Sequence, residues 1–376
     1  MLISILHNRD AALLEDDPGR EAREDVIKVA AAMQATLAHG GHTVQTVAVE
    51  KDLFTIHQAF EAQRPDLVVN LCESLAADSR GEMLVPAMLD LLHVPYTGSS
   101  ALSLALALHK NKAKEILRAR GVSTPDFCIV EHVEDLTRVD LPFPLIVKPS
   151  REDASVGIDF DSVVNDRRGL GRAVNRVLRT FKQPALVERF IDGREIYVPL
   201  LGNAPRRALP LTEIRFGGAT FERHPRVLSY TAKWNTESDE CLDSPSHPAQ
   251  LSAALEARCV AVAESAFQAL ECRDYGRVDL RVDAAGQPYV IDINPNCDLH
   301  PQAGFARAAE AAGISYADLA LHLVDLAWER RHGNQAPVRN RPAAARRAAG
   351  PHRDLHAGRG GLRARTHRRG GSAEQP

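Results

Sequence analysis

Apolar residues in the first hundred positions follow two rhythms. Short runs at Leu2 to Leu6, Thr43 to Val49 and Asp66 to Leu71 read as strands, and a helical periodicity from about Arg23 to Ala38 lies between the first two. This alternation predicts a parallel α/β unit, because a helix carries the chain back between parallel strands. His39-Gly40-Gly41-His42 supplies the helix stop, since glycine tolerates the left-handed conformation in which helices end. Further helices are expected at roughly Glu82 to Leu92 and Ala101 to Arg120, the latter closed by Gly121 and Pro125.

Beyond Pro125 the texture changes. Strand-like segments at Asp126 to Val130, Leu145 to Lys148, Ala185 to Phe190 and Glu195 to Leu201 surround the turn-rich stretch Pro149 to Gly157, which predicts an antiparallel sheet in a separate small subdomain. A helical run from about Pro248 to Leu270 precedes strands at Tyr275 to Val282 and Pro288 to Ile293, joined as a hairpin by Asp283-Ala284-Ala285-Gly286-Gln287. Helices near Phe305 to Ala312 and Tyr316 to Arg331 follow. From about His332 the chain is rich in Arg, Ala, Gly and Pro with too few apolar residues for a core, so a disordered basic tail is expected.

Composition narrows the class. With 376 residues, 44% hydrophobic and 25% charged, the chain suits a globular protein of two or three domains. Its net charge of −3 gives no overall basic field to draw nucleic acid or an anionic membrane. The tail's Arg346-Arg347 and Arg368-Arg369 suit phosphates, but no aromatic residue accompanies them for base stacking, so nucleic acid is not an expected partner. Cys72, Cys128, Cys241, Cys259, Cys272 and Cys297 show no C-x-x-C pair, which reads as reduced thiols and argues against zinc. Neither a signal-like segment nor a run of about 18 apolar residues is present, so a cytoplasmic protein without a membrane span is expected.

Candidate chemistry concentrates on the late hairpin. Arg277-Val278-Asp279 is followed by Asp292-Ile293-Asn294-Pro295-Asn296. Side chains two apart on a strand share a face, so Asp292 and Asn294 point together and Asp279 can meet them from the neighbouring strand. Hard oxygen donors of this kind suit Mg²⁺, with Mn²⁺ as a substitute. A solvated hairpin edge accounts for Asp283 but not for Asp279 and Asp292, which lie in apolar strands where an unpaired charge is costly. Lys148 ends an apolar strand and leads into a small-residue loop containing Ser150, Ser155 and Val156, whose backbone N–H groups can hold phosphates; alone, that loop reads equally as a surface turn. Glu188 and Glu195 flank a strand and turn, either as anchors for an adenosine or as exposed acids.

Taken in order, these segments resemble the ATP-grasp superfamily and, within it, the D-alanine–D-alanine ligase branch. The resemblance rests on Val94-Pro95-Tyr96-Thr97-Gly98-Ser99, Lys110 with Gly121-Val122-Ser123-Thr124-Pro125, Leu145 to Gly157, Leu186 to Glu195, Ala232-Lys233-Trp234, Arg277-Val278-Asp279 and Asp292-Ile293-Asn294, and spans about Asp66 to Arg330. It implies an α/β fold, α+β in its central part, with an N-terminal parallel α/β domain over residues 1–105. A small central subdomain over 106–190, a C-terminal metal-bearing subdomain over 191–331 and the tail over 332–376 would follow.

The same resemblance implies Lys110 and Lys148 on the phosphates of ATP, helped by the loop of Ser150, Ser155 and Val156. Glu188, Arg189 and Phe190 would meet the adenine, Glu195 the ribose, and Lys233 the transferred phosphate. Asp279, Asp292 and Asn294 match magnesium ligands, and Arg277 matches an arginine that stabilises an oxyanion. The implied reaction joins small-molecule partners: a carboxylate attacks the γ-phosphate, and an amine displaces the acyl phosphate. A homodimer is compatible with this reading.

Two stretches depart from the branch. Ligases that join two D-alanines carry Gly-Gly-x-Ser-x-Glu after the first strand, where this chain has His7-Asn8-Arg9-Asp10 and no matching acid. After the metal asparagine they carry Thr-Ser-Pro-Gly-Met-Thr, where this chain has Pro295-Asn296-Cys297-Asp298-Leu299-His300-Pro301. Asp298 would repel a carboxylate-bearing substrate or attract an amine, and Asn296, Asp298 and His300 are expected to shape the acceptor pocket. Glu73, Arg80 and Glu82 read equally as substrate contacts and as loop or cap residues. The expected activity is an ATP- and Mg²⁺-dependent carboxylate–amine ligase. The alternatives are a true D-alanine–D-alanine ligase of peptidoglycan synthesis and a non-catalytic ATP-binding protein.

Overall fold

The computed structural model describes residues 1–9 and 20–333, with backbone alone at 20–23. Asp10 and the basic tail from 334 onward, including both arginine pairs, lie outside the described residues. In chain order the elements are β1 (Leu2–Asn8), α1 (Arg20–His39), β2 (Thr43–Val49), α2 (Phe54–Ala62), β3 (Leu67–Asn70), α3 (Leu84–Leu91), α4 (Ala101–Leu108) and α5 (Lys110–Ala119). Next come β4 (Phe127–Val130), β5 (Leu145–Pro149), β6 (Val163–Val164), α6 (Arg167–Thr180), β7 (Ala185–Arg189), β8 (Arg194–Leu201), β9 (Arg207–Ala208) and β10 (Thr212–Ile214). They are followed by α7 (Gly218–Phe221), α8 (Tyr230–Trp234), α9 (Asp239–Leu242), β11 (Ser246–Pro248), α10 (Ala253–Ala269), β12 (Tyr275–Val282), β13 (Pro288–Asn294), α11 (Gly304–Ala311) and α12 (Tyr316–His332).

The N-terminal strands form the expected parallel sheet, in the order β2-β1-β3. Val29, Met33 and Leu37 of α1 pack on Ile3, Ile5 and Leu67, and α11 and α12 enter the same core through Phe305, Leu319 and Leu323. A second, antiparallel sheet runs β4-β7-β5-β6 and is covered by Leu170, Val174 and Val177 of α6. The third runs β11-β10-β8-β12-β13, with β9 paired to β8.

Two expectations are corrected here. The segment Glu195 to Leu201 does not join the sheet of β4, β5 and β7; as β8 it pairs antiparallel with the whole of β12, from Tyr275 opposite Leu201 to Val282 opposite Arg194. Strand periodicity marks a strand but not its partner. The crossing depends on Gly193, where a Cβ would stand 2.0 Å from the Val282 carbonyl oxygen. The single helix expected over 101–120 is two helices, because His109 leaves the helical region at φ −81°, ψ 78°. The first N–H of α5, that of Lys110, donates to the Ser150 carbonyl at 3.1 Å, so a tertiary bond overrides a run of good helix formers.

Alternation along β8 and β12 builds the cleft. Ile196, Val198 and Leu200, with Val278, Leu280 and Val282, face Cys259, Ala263 and Phe267 of α10. The intervening residues Glu195, Tyr197, Arg277, Asp279 and Arg281 therefore line the opposite face, toward the sheet of β5 and β7.

Candidate active site

The hairpin brings its acids together. Asp279 stands opposite Asp292 and Arg277 opposite Asn294 across β12 and β13. Arg277 grips Asp279 with two hydrogen bonds of 2.6 and 2.9 Å, and Asn294 donates its amide to Asp279 at 3.1 Å. Lys110 donates to both oxygens of Asp292 at 2.8 Å and to Asp153 at 3.2 Å. Burial opposes the charge on Lys110, but Asp292 and Asp153 outweigh it and hold its pKa above the ordinary lysine value. Burial likewise pushes the Asp292 carboxyl up, and Lys110 more than reverses it, leaving a lowered pKa. Arg277 is held well above its usual value, Asp279 overcoming the cost of burial.

Two carboxylates and one amide oxygen are a donor set that fits Mg²⁺, which takes one or two carboxylates and completes its shell with phosphate and water oxygens. Among the described residues no cluster of three or more His, Cys, Asp or Glu side chains could hold a metal ion. The six cysteines are free, and burial pushes the Cys297 thiol up to about 12.

Across the cleft, Glu188 is 1% exposed and lies 3.1 Å from both Lys114 and Lys148, and Glu195 is 5% exposed, so neither is the exposed acid that a bare strand allowed. The two lysines overcome burial and depress the Glu188 pKa. Lys114 itself is pushed down to about 8 by burial, in spite of Glu188. Sequence reasoning missed Lys114; its signal was the one-turn spacing from Lys110 on an otherwise apolar helix face. It also missed Arg281, which pairs with Glu195 at 3.1 Å and donates to the backbone oxygens of Gly193 and Arg226. Tyr197 donates its hydroxyl to the other oxygen of Glu195 at 2.9 Å.

The loop after β5 folds over this cleft, with Ala154 and Ser155 at positive φ and the Trp234 indole N–H on the Ala154 carbonyl at 3.1 Å. Ser155 and Val156 line the cleft together with Arg189, Phe190 and Lys233. Ser150 does not line it; this buried residue spends its N–H on Pro184 and its carbonyl on Lys110. Lys233 stands on α8, capped by Ser229, with its ammonium 5.4 Å from the Trp234 ring. Burial, then the nearby Arg277, lower its pKa.

A second cavity of about 590 Å³ shares Lys233, Arg277 and Asn294 with the cleft. Glu73, Glu82, Asn296 and Asp298 are on its wall; Arg80 and His300 are not. Arg80 is exposed and binds Asp78 at 2.9 Å, while the His300 Nδ1 accepts from the Gln302 N–H at 3.2 Å. Asn296 is locked in place: it donates to Cys72 O at 3.0 Å and to Glu82 at 2.8 Å, and accepts from the Tyr275 hydroxyl at 2.8 Å. Burial raises the Glu82 pKa well above the carboxylate range, with Asp153 adding to it against the Asn296 hydrogen bond. The Glu73 carboxyl is pushed up to about 8 by burial and by Asp298. Its own N–H donates to the Asn8 side chain at 3.0 Å.

Comparison with known proteins gives a consistent picture. The family model described as D-ala D-ala ligase C-terminus matches residues 116–325. The uncharacterized protein y4sG of Sinorhizobium fredii is 36% identical over 313 residues, covering 82% of this chain and 89% of that protein. A D-alanine–D-alanine ligase of Synechococcus is 32% identical over 307 residues, covering 80% and 88%. Among solved structures, the D-alanine–D-alanine ligase of Bacillus anthracis complexed with ATP shares the fold, with a TM-score of 0.70 and 24% identity over 88% of this chain and 98% of that one.

Proposed function

Because this chain belongs to the D-alanine–D-alanine ligase family and is an ATP-dependent C–N ligase, we propose that it joins an amino acid or similar carboxylate to an amine through an acyl phosphate. The observation that carries this reading is that Lys233 and Arg277 stand on the wall common to the cleft and the second cavity. A nucleotide in the cleft and a carboxylate in the cavity would meet there, and phosphoryl transfer needs alignment and charge neutralisation more than a protein nucleophile.

In this reading Lys110 and Lys148 hold the phosphates of ATP under the loop of Ser155 and Val156. Glu188, Arg189 and Phe190 meet the adenine and Glu195 the ribose, with Arg281 fixing Glu195. A substrate carboxylate oxygen attacks the γ-phosphorus and ADP leaves; Lys233 steadies the phosphoryl group in flight. The amine then attacks the acyl carbon, Arg277 stabilises the oxyanion, and phosphate departs, taking up the proton that the amine loses. Asp279, Asp292 and Asn294 would hold Mg²⁺, which supplies charge neutralisation at the phosphates when bound.

A true D-alanine–D-alanine ligase is the second reading, favoured by the named activity of the Synechococcus relative. Against it stand His7-Asn8-Arg9 at the end of β1 and Asp298 in the cavity wall. The test is release of ADP and phosphate across amino acids and amines. Release is expected to need both substrates and to vanish in Arg277→Ala while ATP binding persists. Nucleotide hydrolysis that no amine accelerates would count against ligation, and full turnover with D-alanine alone would favour the second reading.

A further inference from the structure

Resting on the ligase reading, we propose that the second cavity takes as acceptor an amine bearing an additional positive charge and no carboxylate, a diamine in its simplest form, with Glu73 as the specificity-determining residue and Asp298 beside it. The acids on the cavity wall are not equivalent. Asp25 pairs with Lys28 at 2.9 Å, Glu82 accepts from Asn296, Asp153 accepts from Lys110, and Glu152 accepts from Gln183 at 2.9 Å. The chain itself satisfies those four.

Glu73 differs. Its carboxylate lines the cavity and accepts no hydrogen bond from the described residues, while its backbone is tied by the Asn8 side chain, so the loop that presents it is fixed. Asp298 spends one oxygen on the His300 N–H at 2.7 Å and keeps the other for the cavity. Two carboxyl groups on one cavity wall, each with an oxygen that the described residues leave without a hydrogen bond, suit a cationic ligand, whose charge would favour the ionised form of both. A carboxylate on the acceptor finds no cation of its own, because Arg277 is gripped by Asp279, Lys233 serves the phosphoryl group in the ligase reading, and Arg307 is an exposed rim residue screened by solvent. The cavity's shared wall with the catalytic Lys233 and Arg277 would place one amino group at the reacting carbon and the second ammonium at Glu73.

The experiment titrates the full chain, loaded with Mg²⁺ and a non-hydrolysable ATP analogue, with 1,4-diaminobutane, butylamine and D-alanine in a calorimeter. The diamine is expected to bind at least roughly tenfold more tightly than either comparator. Glu73→Gln is expected to weaken diamine binding roughly thirtyfold, as removal of one partner of a shielded charge pair does, and Asp298→Asn to weaken it less. Affinity for the analogue serves as the check on folding, and Asp298→Asn carries the comparison if Glu73→Gln loses the analogue. D-alanine binding as tightly as the diamine, or diamine affinity unchanged in a variant that still binds the analogue, overturns the proposal. Failure of the unmodified chain to bind the analogue strikes the ligase reading instead.

Discussion

Glu188 offers the sharpest energetic test of the cleft. One carboxylate, 1% exposed, neutralises two buried lysines at 3.1 Å each. Glu188→Gln preserves shape and removes the charge, leaving Lys114 sealed beneath the sheet with only the Thr124 hydroxyl at 2.8 Å and the Val290 carbonyl as partners. Breaking a buried pair this way costs about 3–5 kcal/mol, which for a chain of this size lowers Tm by about 4–6 °C. The pH dependence follows from Lys114, whose folded pKa of about 8 lies below the ordinary lysine value of 10.5. Between those values the folded chain binds fewer protons than the unfolded one, so stability rises with pH through that window. In the variant the Lys114 pKa drops further and the rise begins at lower pH. The deficit is therefore expected to narrow between the variant's lower Lys114 pKa and about pH 8 and to level off above it, where the unmodified chain sheds the Lys114 proton as well. Urea unfolding at pH 7 and pH 9 without nucleotide measures this. Adding Lys114→Met to the variant is expected to restore about 1–3 kcal/mol, because the stranded charge goes with it. A loss below about 1 kcal/mol for Glu188→Gln, or a double variant whose losses simply add, would refute the account.

Two further outcomes follow from buried acids elsewhere. Asp274 is fully buried, accepts from the Gly98 N–H at 2.8 Å and from Asn203 at 3.0 Å, and pairs with Arg330 of α12. Asp274→Ala is expected to cost about 3–5 kcal/mol in denaturant titration while the folded variant keeps its nucleotide affinity; an equal loss of nucleotide affinity would contradict this. Glu73, with a folded pKa of about 8 against 4.5, keeps a proton between those values that the unfolded chain releases, so its contribution to stability declines as pH rises from 4.5 to 8. Glu73→Gln is expected to remove that slope and to gain about 1–2 kcal/mol at pH 8, a figure discounted because the carboxyl faces a cavity open to water; parallel stability curves from pH 5 to 8 would disprove it.

The two ends of the site were unequally legible in the sequence, and the reason is geometric. Side chains facing the phosphate end come largely from adjacent strands, β8, β12 and β13, where a period of two is visible in a few consecutive residues. The grouping of Arg277, Asp279, Asp292 and Asn294 is therefore legible in the sequence alone. Lys114 and Arg281 escaped because each acquires its meaning from a distant partner, Glu188 or Glu195, and a lone charge in an amphipathic or apolar segment carries no local mark of that pairing. The sheet membership of β8 and the break at His109 escaped for the same cause, since each is decided by a tertiary contact, Gly193 against Val282 and Lys110 against Ser150. The acceptor end is the extreme case. Its wall draws on α1, the segment after β3, α4, α8, the segment after β13 and α11, so a regular spacing within one segment, as at Asn296 and Asp298, does not say which other segments it faces. Phosphate chemistry written along neighbouring strands can be read locally, whereas an acceptor pocket assembled from many separated segments is readable only after folding.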